Sequence, residues 1–113
     1  MKTKTQKLKT VVYKRPGEPP VAVELKTIDL EYLQSAVRGY VQAVPFAATT
    51  LTLWCNEEGK LDGLAPNVFN GGDVIMGTVV ITGGSTPAGN TKGLTPKQAE
   101  IALHILSNLE YRR

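Results

Sequence analysis

The residues able to do chemistry in this chain are few, and number or phase excludes most of them. There is one cysteine, Cys55, and one histidine, His104, whereas a metal site of thiolates and imidazoles needs about four ligands, or three and a water. Cys55 shares the apolar phase of Leu51 and Leu53, so it reads as a small buried hydrophobe rather than a nucleophile. His104 falls on the polar side of the last helical pattern, with no Cys or Ser spaced to pair with it, and reads as solvent-facing. The loop Gly84-Ser85-Thr86-Pro87-Ala88-Gly89-Asn90-Thr91 nearly spells the phosphate-cradling G-x-x-x-x-G-K-[ST]. Asn90 stands where the lysine must be, Pro87 removes an amide donor, and the helix start comes only at Thr95, so a mobile surface loop is expected instead. Glu57 and Glu58 adjoin in a turn pattern, with Asp62 and Asp73 nearby in sequence. Hydrolysis by two carboxylates needs them across a cleft with one pKa raised by burial, and turn carboxylates are normally solvated. A small hydrolase using Asp73 or Glu57 as base therefore stays an alternative to a protein with no enzymatic role and no cofactor.

What remains is the polar, glycine-rich stretch CNEEGKLDGLAPN, beginning at Cys55. Trp54, Asn56, Glu57, Lys60, Asn67 and Asp73 form the candidate ligand-binding set, with Trp54 stacking on a base and Lys60 meeting phosphate if the ligand is nucleotide-like. Turn chemistry accounts for much of the same stretch. Asn56 can start a turn through its side chain, Gly59 can take positive φ to close a hairpin, and Asp62-Gly63 makes a second turn. Lys60, Asn67 and Asp73 are left without a structural reason, and the question is whether they meet.

The elements that must position these residues follow from periodicity. Residues 10–14 and 21–25 are β-rich around the turn cluster RPGEPP, and 40–44 and 51–55 read as further strands. Residues 73–82 form one long, nearly continuous apolar candidate for a central strand, with Gly77 marking a bulge or a close backbone approach. Residues 60–61 would begin a strand returning from the Asn56 turn, and the rest up to 72 is irregular. Asp29 caps a helix of about two and a half turns, with Gly39 in the position just after its end, and Thr95-Pro96-Lys97-Gln98 is a capping box opening the last helix. Ala99, Ile101, Ala102, Leu103, Ile105, Leu106 and Leu109 sweep one broad face of that helix, which must lie on a sheet. The fold class expected is α+β: a small single domain, mainly antiparallel β-sheet, with one short helix and a C-terminal amphipathic helix packed on it. The width of that last face also suggests a homodimer.

The net charge of +3 is unevenly spread over the 113 residues. Lys2, Lys4, Lys7, Lys9, Lys14 and Arg15 give the first fifteen residues +6, and the remainder carries −3. This divides the chain into a basic flexible arm, 1–10, and a single domain, 11–113. Those six basic residues, Lys14 and Arg15 included, offer weak, salt-sensitive nucleic-acid contacts as an alternative function, while the body lacks the clustered Lys and Arg of a nucleic-acid surface. No apolar run suits a secretory signal or a membrane span, and a cytoplasmic protein with no membrane partner is expected.

The order of short motifs resembles a known family. Gly39-Tyr40-Val41-Gln42-Ala43-Val44-Pro45, then Asn56-Glu57-Glu58-Gly59-Lys60, then Gly63-Leu64-Ala65-Pro66-Asn67, then Gly72-Asp73-Val74-Ile75-Met76-Gly77 is similar to a family of small bacterial, plasmid and phage proteins catalogued as a domain of unknown function. Ala65, where a second proline would be usual, is a small departure. The resemblance implies a small α+β fold and a source in a phage, a mobile element or its bacterial host, and it supplies no catalytic residues. Together these readings lead to a small non-enzymatic accessory protein that binds a host protein or a small, nucleotide-like ligand.

Overall fold

In a computed structural model residues 7–111 are described, so Lys2 and Lys4 lie outside the described residues. The chain runs β1 (Lys9–Lys14), β2 (Val21–Leu25), α1 (Leu30–Val37), β3 (Val41–Pro45), β4 (Thr52–Asn56), β5 (Pro66–Asn70), β6 (Asp73–Met76), β7 (Val79–Thr82) and α2 (Pro96–Asn108). Five strands pair antiparallel in the order β2-β1-β7-β4-β3, and β5 and β6 form a separate hairpin. This is the α+β class that the sequence predicts. Among the described residues no helix is long and apolar enough to cross a membrane.

Strand alternation divides the core between two faces. Val12, Leu53, Cys55, Val79 and Ile81 point to one face, where they pack with Ala99, Ala102 and Leu106 of α2 and with Val68 and Ile75 of the β5–β6 hairpin. Val11 and Val80 point to the other, where they meet Ile28 and Leu33 beside and on α1, with Tyr13 and Trp54 at the margin. β7 is buried at all four residues because it lies in the middle of the sheet and is covered on both faces. Coverage is unequal for a geometric reason. A helix is about 10 Å across and strands lie about 4.8 Å apart, so one short helix covers two or three of five strands. α1 lies over β7, β4 and β3, whereas α2 lies over β1 and β2 on the opposite face with the hairpin beside it. The α1 side of β1 and β2 is thus closed at Val11 but only partly covered at Tyr13, Val23 and Leu25.

Both predicted caps form. Asp29 Oδ1 accepts from the Tyr32 amide at 2.8 Å. Thr95 Oγ1 accepts from the Gln98 amide at 3.1 Å while Gln98 Oε1 accepts from the Thr95 amide at 2.9 Å.

Four local expectations are corrected. The long strand 73–82 is two strands in different sheets, because Gly77 takes φ +84° and its amide turns to donate to Ala65 O at 2.7 Å. The chain does not return as a strand at Lys60 but coils in consecutive turns, and 66–70, expected to be irregular, is β5. At the end of α1 Gly39 follows the cap as expected, and the left-handed residue is the cap itself, Arg38, φ +65°. On α2, Ile101 is exposed while Leu103, Ile105 and Leu109 find cover against the core, so the apolar face is narrower than the wheel predicts.

Lys14, expected in the solvated basic stretch, has no exposed surface at all. It shares the phase of Val12, which carries it to the α2 face. There its ammonium donates to Asn67 Oδ1 at 2.7 Å and meets Glu110 Oε1 at 2.9 Å. Asn67 is also fully buried, and its amide nitrogen donates to Lys14 O and Gly77 O, both at 2.8 Å. This knot joins β1, β5, the β6–β7 turn and the chain just beyond α2. Asn67→Leu leaves Glu110 as the partner of Lys14 but takes one acceptor from the buried ammonium and the donor from two carbonyls, a loss expected to cost about 3 kcal/mol in urea unfolding. Adding Lys14→Met to it should recover part of the loss; a double variant no more stable than the single one would show that the under-bonded ammonium is not the source.

Candidate binding groove

The polar stretch after β4 is built around one side chain, that of buried Asn56. Its Oδ1 accepts from the Glu58 amide at 2.7 Å, which starts the turn as predicted, while its Nδ2 donates to the carbonyls of Val37 at 3.1 Å and Arg38 at 3.3 Å. Asn56 therefore satisfies carbonyls at the end of α1 and orders the following turn at once. Gly39 is required by closeness, since a Cβ there would lie 2.7 Å from Asn56 Nδ2. Gly59 likewise has no positive φ; it lies against Met76 O, 3.0 Å from where a Cβ would be.

Of the three residues left open by the sequence, two meet. Lys60 Nζ and Asp73 Oδ1 lie 2.7 Å apart on an exposed edge. They flank a shallow recess of about 150 Å³ that Asn56, Glu57 and Glu58 also line. Asn67 is elsewhere, in the knot with Lys14, and Trp54 lies on the α1 face with Nε1 donating to Thr82 Oγ1 at 2.8 Å. The Lys60 ammonium, through its hydrogen bond first and its charge second, holds Asp73 below the ordinary carboxylate value. That is opposite to the raised pKa that a general acid or base at this position needs. Burial, and then the charge of Asp73, push the Cys55 thiol up, so it stays protonated and poorly nucleophilic at neutral pH. Among the described residues no group of three or more His, Cys, Asp or Glu side chains is arranged to hold a metal ion.

The larger concavity is one that the sequence did not suggest. Beside the partly covered part of β1 and β2, a groove of about 840 Å³ opens between α1, the β1–β2 turn and residues 64–65 and 77–78. Tyr13, Val23, Leu25, Tyr32 and Ala36 give it apolar and aromatic walls, and Arg15, Glu18, Ser35 and Arg38 supply polar groups. Binding sites for small organic molecules span roughly 300–1,000 Å³ and combine apolar walls with a few polar anchors. By size alone the groove fits that class and the recess beside Lys60 does not. Arg15 stands over the Tyr13 ring, 5.3 Å from its centroid, and makes a long contact with Glu18 at 3.6 Å. Burial, and secondly Tyr13 nearby, push the Tyr32 phenol above its ordinary value, so it is a neutral hydrogen-bond donor.

In the sequence Tyr13 stands in a short strand pattern and Arg15 among the basic residues of the alternative nucleic-acid set, so neither points to a groove. Their spacing of two, which puts them on one side of an extended chain, was the signal available. Tyr32, Ser35 and Ala36 share one face of the α1 pattern in the same way.

The architecture is an antiparallel α+β domain with a groove on the under-covered face of its sheet. The chain belongs to the family described as a domain of unknown function, DUF3846, which it matches over residues 8–107. No curated protein and no solved structure matches it.

Two outcomes are expected from this geometry. Asn56→Ala removes a helix cap and a turn hydrogen bond together and should cost about 2 kcal/mol; urea unfolding giving less than a quarter of that would remove Asn56 from its structural role. Because Asp73 is depressed in the folded state, its pair with Lys60 adds stability above the ordinary carboxylate value, and that is lost as pH falls through the folded value. Lys60→Met should return Asp73 to the ordinary value in a carboxyl NMR titration, and an unshifted curve would show that Lys60 does not hold it.

Proposed function

We propose that this chain is a small non-enzymatic accessory protein, from a phage or other mobile element in a bacterial host, which binds a small organic anion in the groove between α1 and the β1–β2 hairpin. One observation carries the reading: a concavity of about 840 Å³ brings two tyrosines and an aliphatic floor together with two arginines. Those arginines outnumber the one lining acid, Glu18, which favours an anion. The source rests on the resemblance of the motif order to that of plasmid and phage proteins. Lys60 and Asp73 already satisfy one another, and their recess is small, which favours the groove over the Asn56-to-Asp73 patch as the ligand site.

An amide-resolved NMR titration with a panel of nucleotides, sugar phosphates and aliphatic carboxylates tests the proposal. At least one class should saturate and move Tyr13, Tyr32, Ser35 and Arg38 together. Arg38→Gln should weaken that binding about tenfold, the worth of one charge-assisted hydrogen bond, with the unfolding midpoint unchanged. Saturable shifts confined to the surroundings of Lys60, or none from any class, would overturn it.

A further inference from the structure

We infer that the groove is a nucleoside phosphate site in which the base stacks at Tyr13 and Tyr32 and the phosphate is held by Arg38 and by Arg15 released from Glu18; this rests on the groove being the binding site. The argument starts from shape. The floor is a β-sheet face carrying an aromatic side chain, and such faces are platforms on which planar bases stack. Tyr13 is only half-buried, and a planar guanidinium already stands over its ring. That position suits a planar group and is held by a flexible side chain that can move aside.

Charge points the same way. Glu18 is the one acid lining the groove, and it reaches Arg15 only at 3.6 Å, with both side chains close to 60% exposed. A pair this long and this exposed is weak, so a phosphate, which matches the guanidinium fork with two short hydrogen bonds, displaces it at little cost. Glu18 thus stands where an anion would pair with Arg15. Arg38 is anchored from behind, since its carbonyl accepts from Asn56 Nδ2 and its backbone is left-handed at φ +65°. It stands at the negative end of α1, where a guanidinium is favoured and from which it faces the groove. The Ser35 hydroxyl and the protonated Tyr32 phenol are neutral donors for base or ribose edges.

An aliphatic anion would use the same arginines but gain nothing from the tyrosine faces, and this separates the candidates. The same stacked base and phosphate can come from a free nucleotide or from single-stranded nucleic acid, so the probes are AMP, adenosine, inorganic phosphate, octanoate and a four-residue oligoadenylate, followed by NMR at Tyr13, Tyr32 and Arg38. AMP or the oligoadenylate should saturate, with adenosine and phosphate each at least about tenfold weaker, as loss of a phosphate contact or of a stacked base implies. Glu18→Gln should tighten the AMP or oligoadenylate complex, and Tyr13→Leu should weaken it about tenfold. Tighter binding of the oligoadenylate assigns the site to a strand, and tighter binding of AMP assigns it to a free nucleotide; both support the inference. Saturation by octanoate with none by AMP or oligoadenylate overturns it and leaves the groove as an anion site, whereas no saturation by any probe at these residues overturns both. An affinity unaffected by both Glu18→Gln and Tyr13→Leu also overturns it.

Discussion

A lysine ammonium sealed from water must be paired, and the position of Lys14 makes the rest of the domain conform to that need. β1 carries it to the α2 face of the sheet among aliphatic side chains, where an unpaired charge would cost several kcal/mol. Asn67 and Glu110 meet the requirement from far along the chain. Since Asn67 also holds the carbonyls of Lys14 and Gly77, the same contact fixes where β5 lies, where the chain turns between β6 and β7, and where it passes after α2. The end of the chain is secured further by ladder bonds, from the Phe69 amide to Leu109 O and from the Tyr111 amide to Asn67 O, both at 2.8 Å. One side of the groove is lined by Ala65, Gly77 and Thr78, and the knot holds the Gly77 carbonyl among them.

Polar residues that look functional in the sequence are mostly occupied with backbone. Asn56 closes α1 and opens a turn. Asn70 does comparable work, accepting from the Ala47 amide at 2.7 Å and donating to Pro45 O at 3.0 Å, so that the hairpin is tied to the β3–β4 connection. An asparagine offers both a donor and an acceptor at the end of a short stem, and can complete irregular backbone where no ladder does. Side chains spent in this way are poor candidates for ligand contacts, which leaves the less conspicuous tyrosines and arginines of the groove.

The groove itself is a consequence of covering a five-strand sheet unequally. On one face a thirteen-residue helix and a hairpin share the task; on the other an eight-residue helix packs chiefly on β7, β4 and β3. The exposed aromatic and aliphatic surface that results is bounded by guanidinium groups. The offset of α1 toward the β3 edge leaves the space, and the β1–β2 turn with residues 64–65 and 77–78 completes its walls.

The sequence by itself determined what depends on neighbours within a turn or two. Asp29 and the Thr95–Gln98 box cap their helices because capping is a contact across three residues. Leu51, Leu53 and Cys55 share a face because strands alternate, and 79–82 lies at the centre as its unbroken apolar run requires. The tertiary structure alone decided whatever joins distant residues. That Gly77 separates two sheets follows from the close passage of Leu64 and Ala65; that Lys14 is internal follows from an asparagine 53 residues away. The groove was illegible for the same reason: its walls come from β1, β2, α1 and two later turns, and the offset that parts them is set by packing, to which no local periodicity responds.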